Sequence, residues 1–204
     1  VAASAGNHAQ GVAYASSLLG IPATIVMPEG ASIAKQLATK SYGGEVILFG
    51  QNTDEALKYA RRLVEHGRFF IHPFDDEQVM AGQGTIGLEI LEDVPGVEAI
   101  IVPVGGGGLL SGIATIVKRR KPKVKIIGVQ SAHAPSAFYS LKRKKIVEVH
   151  VKPTLADGIA LQQVGKMTFP IIRKYVDDIL AVQEDEIASA ILMLMERKRV
   201  VAEG

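Results

Sequence analysis

An apolar run, Ala99-Ile100-Ile101-Val102-Pro103-Val104, meets four consecutive glycines, Gly105-Gly106-Gly107-Gly108, which lead straight into Leu109-Leu110-Ser111-Gly112-Ile113-Ala114. Strand, glycine turn, helix is the order this pattern dictates. Adjacent glycines are costly in conformational entropy, so four of them mark a backbone that bends tightly or lets a ligand approach closely. The turn aims bare N–H groups, with a helix N-terminus behind them, at one point that suits a phosphate. A flexible surface turn is the plainer alternative, and the apolar, well-formed flanks argue against it.

The same alternation of strand-like runs and helix-periodic segments fills the chain, which predicts an α/β fold with mainly parallel sheets. A helix is expected from Asn7, as its N-cap, to about Leu19, with Gly20 ending it. Ala23–Met27 then reads as a strand, Ile33–Tyr42 as a helix and Glu45–Phe49 as a strand. Thr53 is expected to cap a helix with Ala56, Ala60, Leu63 and Val64 on one face. Phe69-Phe70-Ile71 reads as a short strand. The polar, proline-bearing stretch His72-Pro73-Phe74-Asp75-Asp76 is the expected boundary between two lobes, 1–75 and 76–204. Beyond it the pattern gives a helix to about Glu92, the strand and glycine turn, and a strand over Val124–Val129. A helix near Ala134–Leu141 and a strand-like Ile146-Val147-Glu148-Val149 follow. Strand Asp178–Val182 and a helix from about Glu184, with Ile187, Ile191, Leu194 and Met195 on one stripe, close the reading.

Composition excludes several function classes. The net charge of +2 gives no push toward nucleic acid, and the basic runs Lys118–Lys121 and Lys142–Lys145 carry no interleaved aromatics of the kind a single strand would need. They read as a solvated helix end and a solvated loop. With no cysteine in the chain, disulfides, zinc-thiolate centres and cysteine nucleophiles are out. No apolar run approaches the roughly 18 residues of a membrane span, and no basic-then-apolar leader is present. A cytoplasmic protein without membrane or nucleic-acid partners is the expectation.

Two glycine motifs compete for a nucleotide reading. Gly82-Gln83-Gly84-Thr85-Ile86-Gly87 matches G-x-G-x-x-G. Its flank Glu77–Ala81 is helix-like, however, and no acidic residue closes a strand about 20 residues on, so the dinucleotide context fails. The tetrad fails the same test, with Leu110 where a third glycine belongs and Lys125 where the ribose-binding acid belongs. The tetrad therefore reads as a cup for a single phosphate group.

A second loop, Ser4-Ala5-Gly6-Asn7-His8-Ala9-Gln10-Gly11, also opens a helix and carries a hydroxyl, a carboxamide and an imidazole. A carboxylate suits its free N–H groups and positive dipole end. Asn7 could instead be only a cap, and His8 only a surface residue. No second His or carboxylate stands at ligand spacing from His8, so no metal site is expected.

Together the two loops resemble the fold type II pyridoxal-phosphate enzymes, and within them the threonine/serine dehydratases (ammonia-lyases), most closely the catabolic kind. The matching words are Ala3–Gly11 and Pro103–Leu109, with Ala81–Thr85, Leu155-Ala156-Asp157-Gly158-Ile159-Ala160, Val176–Ile179 and Glu184–Ile187. The resemblance runs over essentially the whole chain. It implies two α/β lobes of a tryptophan-synthase-β-like architecture with pyridoxal 5′-phosphate as cofactor. Gly105, Gly106, Gly107, Gly108 and Leu109 would hold the cofactor phosphate through main-chain N–H groups. Asn7 would donate to the pyridine 3′-oxygen, and Ser4, Gly6, Asn7 and His8 would surround the carboxylate of an amino-acid substrate. The implied reaction is β-elimination of L-threonine or L-serine to a 2-oxo acid and ammonia, by a homo-oligomeric parent enzyme.

Four positions depart from relatives or are missing. Serine racemases of this group carry a serine at the place of Ala5, whose hydroxyl acts as a base, and a methyl group cannot replace it. Gln130 stands where racemases place a cation-holding glutamate. The family's Schiff-base lysine, in a Ser-Phe-Lys-x-Arg motif, does not occur in these residues, nor does the later Ser, Thr or Cys that faces the pyridine nitrogen. The expectation is an internal fragment, itself inactive and without a catalytic residue of its own, of an active parent. Alternatives are a non-catalytic phosphate- or nucleotide-binding module, or another enzyme of the group such as a threonine synthase, cysteine synthase or serine racemase.

Overall fold

Six strands among the described residues form two separate three-stranded sheets, and every strand pair within them is parallel. The computed structural model describes residues 1–66 and 68–204, with backbone alone for Glu65 and His66. The chain divides into two units, Val1–Pro73 and Phe74–Gly204.

In the first unit the order is β1 (Ala2–Ala3), α1 (Asn7–Leu18), β2 (Thr24–Met27), α2 (Ile33–Ser41), β3 (Glu45–Leu48) and α3 (Thr53–Arg62), with the sheet ordered β1-β2-β3. Thr24 pairs with Glu45 and Ala2 with Ile25. Alternate side chains of a strand point to opposite faces. Ile25 and Met27 accordingly join Ala9 and Val12 of α1 on one face, while Val26 joins Ala56 and Ala60 of α3 on the other. Both faces are covered, which is why β2 is an unbroken buried run.

Three local expectations change. The N-cap of α1 is Gly6, and Asn7 is the first helical residue. The N-cap of α3 is Asn52, whose side chain takes the Glu55 N–H at 3.0 Å. A residue outside the helix with extended backbone can aim its side chain back at N3, and Asn52 has that geometry where Thr53 does not. Phe69–Ile71 makes a single bridge, Ile71 to Ala2, because β1 offers a partner edge only two residues long.

In the second unit α4 (Glu77–Asp93) precedes β4 (Ala99–Pro103), α5 (Gly108–Arg120), β5 (Lys125–Ser131), α6 (Ser136–Arg143), α7 (Thr168–Tyr175), β6 (Asp178–Val182) and α8 (Glu184–Met193). The sheet order is β4-β5-β6. Ile100, Val102 and Val104 from the β4 segment, Ile126 of β5 and Ile179 of β6 pack with Leu110, Ile113 and Val117 of α5 and with Phe169 and Ile172 of α7. Asp76 caps α4, its carboxylate taking the N–H of Gln78 at 2.8 Å and of Val79 at 3.0 Å.

Close approach of α4 and α5 depends on glycine. A methyl on Gly112 would stand 2.7 Å from the Gly84 nitrogen and closer still to the Met80 carbonyl, while Gly84 and Gly87 face the α5 backbone in return. The expected strand at Ile146–Val149 is absent. There the Val147 N–H goes to the Ser140 hydroxyl and the Val149 N–H to the Gln162 carbonyl, which leaves no strand edge to pair. Helix α7 had no counterpart in the sequence reading. Leu194 and Met195 lie beyond α8, in a π turn at Leu194–Lys198.

Candidate functional site

The glycine turn begins where the sheet ladder stops, at the Val104 N–H donated to Val129 O at 2.9 Å. Gly107 takes a left-handed conformation, φ +96°, as the N-cap of α5, a backbone that strains any residue with a Cβ. The first helix-type bond is Ser111 N to Gly107 O at 2.8 Å. Among the described residues no hydrogen bond takes the N–H of Gly105, Gly106, Gly107, Gly108 or Leu109. Gly106, Gly107 and Gly108 are buried, and buried N–H groups without a protein partner call for a ligand.

Within its own unit the turn is held closely from behind. A Cβ on Gly106 would overlap the edge of the Phe74 ring, one on Gly108 would stand 2.9 Å from the Phe74 backbone, and one on Gly105 would meet Ile159 at 3.2 Å. The Gly106 carbonyl accepts from the Thr168 hydroxyl at 2.7 Å and from the Gly165 N–H at 3.0 Å. Asp75, the neighbour of Phe74, takes the N–H groups of Lys166, Met167 and Thr168 on one carboxylate, at 3.0, 2.8 and 3.2 Å. Phe74, Asp75 and Thr168 were not singled out from the sequence. A proline-flanked Phe-Asp-Asp reads as a linker, and the partner backbone lies about ninety residues away along the chain.

In the first unit the loop before α1 carries the other candidates. The Ser4 hydroxyl accepts the Gly6 N–H at 3.1 Å, leaving its own proton free to be donated. Gly6 caps the helix by backbone geometry alone, so the exposed Asn7 carboxamide has no capping duty. His8 Nε2 lies 3.3 Å from the Ile71 carbonyl. Burial lowers the imidazole pKa below its ordinary value, partly offset by that hydrogen bond. A neutral ring that donates from Nε2 keeps an acceptor at Nδ1. Its side chain therefore offers nothing to a carboxylate, whereas its backbone N–H, like that of Asn7, is open at the helix start.

Other candidates resolve into packing. Gly82–Gly87 lies inside α4, with Gly84 and Gly87 against α5. Gln130 is 1% exposed. Its carbonyl takes the N–H of Ala137 at 2.9 Å and Phe138 at 3.2 Å, and its amide reaches the Ser136 hydroxyl, so it satisfies the start of α6. Lys118 pairs with Asp177 at 2.7 Å. Among the described residues no group of three His, Cys, Asp or Glu is placed to hold a metal ion, and no helix is long and apolar enough to cross a membrane.

A network outside the sequence reading gathers on Glu184, at the start of α8. Its carboxylate accepts from the hydroxyls of Ser131 at 2.6 Å and Thr154 at 2.7 Å, and from the Leu155 N–H at 2.8 Å. Burial raises its pKa, but the Ser131, Leu155 and Thr154 hydrogen bonds and nearby His133 outweigh this and leave it below the usual value. Glu184 thereby fixes the strap whose Ile159 backs onto Gly105.

The family model described as "Pyridoxal-phosphate dependent enzyme" matches residues 1–204. The chain belongs to that family. It is 56% identical over 205 aligned positions to the L-threonine ammonia-lyase of Geobacter sulfurreducens and, equally, to that of Thermotoga maritima; each alignment covers 100% of this chain and 51% of the relative. The structure superposes on the processed form of threonine deaminase isoform 2 from Solanum lycopersicum with a TM-score of 0.93 at 42% identity, covering 100% of this chain and 60% of that one. The fold is thus that of the fold type II pyridoxal-phosphate enzymes, and the chain spans about half the length of the curated relatives it matches. Among the described residues the N–H groups of Gly105 to Leu109 have no hydrogen-bond partner, and Gly106, Gly107 and Gly108 are buried, which fits the phosphate of such a cofactor.

Proposed function

We propose that the protein containing this chain is a threonine/serine dehydratase that uses pyridoxal 5′-phosphate to convert L-threonine or L-serine into a 2-oxo acid and ammonia. The observation that carries this reading is the 56% identity, sustained over the whole chain, to two L-threonine ammonia-lyases. The units 1–73 and 74–204 are then parts of the small and large lobes of a cytoplasmic, homo-oligomeric enzyme whose partner is a small amino acid.

When bound, the cofactor supplies an electron sink for the carbanion at the substrate Cα. In the second unit, the N–H groups of Gly105, Gly106, Gly107, Gly108 and Leu109 hold its phosphate dianion at the positive end of α5. In the first unit, the Asn7 carboxamide donates to the pyridine 3′-oxygen. The Ser4 hydroxyl and the N–H groups of Asn7 and His8, with Gly6 giving close access, hold the substrate carboxylate and so orient the Cα–H bond. Ala5 presents a methyl group, which cannot return a proton to the opposite face of the substrate. Elimination is favoured over racemisation for that reason.

The test uses the protein as its gene encodes it, supplied with pyridoxal phosphate and either L-threonine or L-serine. Release of 2-oxo acid and ammonia, with D-serine formation slower by at least about tenfold, is expected. D-serine appearing as fast as ammonia, or no amino-acid turnover at all, overturns the reading. The 204-residue polypeptide alone, treated with pyridoxal phosphate and then borohydride, should show no stoichiometric adduct on any one lysine.

A further inference from the structure

Thr168 is fully buried and is held at all three of its polar groups. Its N–H goes to the Asp75 carboxylate, its carbonyl accepts from the Ser111 hydroxyl of α5 at 3.3 Å, and its own hydroxyl lies 2.7 Å from Gly106 O. A threonine hydroxyl has one proton to give. The alternative acceptor, Gly165 O, is at 3.2 Å, so the shorter contact to Gly106 takes it. The Gly165 N–H approaches the same Gly106 carbonyl at 3.0 Å. The Gly106 carbonyl is therefore pinned toward the start of α7 by two donors.

A trans peptide is planar, with its C=O and N–H antiparallel, and no peptide bond of the described residues is cis. Pinning Gly106 C=O toward α7 thus turns the Gly107 N–H to the far side of the same plane. Gly107 packs closely against α7, where a Cβ added to it would meet Ile172 at 2.7 Å and the Thr168 hydroxyl at 3.0 Å. We propose that Thr168 is a positioning residue for the anion-holding turn: its hydroxyl fixes the Gly106–Gly107 peptide so that the Gly107 N–H is presented, already oriented, to the phosphate of the cofactor. Thr168 touches neither cofactor nor substrate in this role. The inference rests on the reading that Gly105–Leu109 holds the cofactor phosphate, and deepens it by naming what orients one of the donors.

The experiment compares T168V, T168A and T168S in the protein as its gene encodes it. Apparent affinity is measured by fluorescence titration of the apoprotein with pyridoxal phosphate and, separately, with pyridoxal, which lacks the phosphate. The phosphorus-31 resonance of bound pyridoxal phosphate is recorded alongside. T168V is expected to weaken pyridoxal phosphate about tenfold, the worth of one oriented charge-assisted hydrogen bond, and to leave pyridoxal unchanged. It should also shift the phosphorus resonance, and T168S should restore both. T168A removes the hydroxyl without adding a carbon and carries the same expectation should T168V fail to fold. Equal weakening of both ligands, or no weakening of either, overturns the proposal. If the parent protein fails to prefer pyridoxal phosphate over pyridoxal, the phosphate reading of the turn itself falls, a result distinguishable from the other two.

Discussion

Replacing Gly112 by alanine tests whether the G-x-G-x-x-G sequence of α4 is a helix-packing motif. The added methyl would lie 2.7 Å from the Gly84 nitrogen and nearer still to the Met80 carbonyl, both of them main-chain atoms that no rotamer change can move aside. Helix α5 must then slide away from α4, loosening the buried cluster to which Leu91 of α4 and Ile113 and Val117 of α5 belong. Overpacking of this kind costs about 1–3 kcal/mol, and a backbone obstacle belongs at the upper end. Alanine returns about 1 kcal/mol in helix propensity, so the net loss is about 2 kcal/mol, or about 4–8 °C in melting temperature for a chain of this size. Gly82 is the internal control. It is exposed in the same helix, and a methyl placed there would have no atom within 4 Å, so G82A should gain up to about 1 kcal/mol from propensity alone. Scanning calorimetry of the two variants gives the answer. A G112A protein as stable as its parent, or a G82A protein that loses cofactor affinity, would refute the packing account and reopen a nucleotide role for this sequence.

Asn7→Ala should leave melting unchanged within about 0.5 kcal/mol, because Gly6 rather than Asn7 caps α1, while ammonia release from L-threonine falls about a hundredfold if the carboxamide donates to the cofactor. For His8, burial keeps the folded-state pKa below the unfolded value of about 6.5. The unfolded chain therefore binds a proton that the folded chain does not, and stability falls as pH drops below about 6.5 and is level above it. The difference in denaturant midpoint between the parent and H8Q should accordingly be constant at neutral pH and change on acidification. Glu184→Gln turns part of an acceptor into a donor opposite the Leu155 N–H and two hydroxyls. It should cost about 1 kcal/mol, reduced by partial solvent access, and protease digestion should become faster at residues 153–160.

The sheets were legible because their strands are short apolar runs punctuated by Gly and Pro, as at Thr24–Met27 and Ala99–Pro103. Helix α7 was not, since Thr168-Phe169-Pro170-Ile171-Ile172 places a proline and β-branched residues in a segment with weak helical propensity. Two things outside the segment overcome that: burial of Phe169 and Ile172, and the Asp75 carboxylate, which takes the N–H groups leading into and opening the helix. Neither is local, so no window along the chain contains them. Asn7 and Thr53 show the opposite failure. Each is a good capping residue beside a better-placed one, and a shift of one position is decided by backbone angles that residue type does not encode.

The glycine tetrad carries a comparable ambiguity, and its two sides differ. Phe74 presses on Gly106 and Gly108, and Thr168 and Ile172 on Gly107, so side chains at those three positions would be excluded even if nothing ever bound in front, while Ile159 crowds Gly105 less tightly. Glycine content alone is thus a packing signal, and four glycines do not by themselves specify an anion site. What separates the two readings is the fate of the polar groups. The carbonyl of Gly106 is taken up from behind by two donors, while among the described residues the N–H groups from Gly105 to Leu109 have no partner. Open N–H groups at Gly107, Gly108 and Leu109 are what any helix N-terminus leaves; the further bare N–H groups of Gly105 and Gly106 are what a turn built only for packing would have no reason to keep, because a buried N–H left bare costs about 1–3 kcal/mol. That asymmetry of donors and acceptors, more than the run of glycines, supports the proposed anion site.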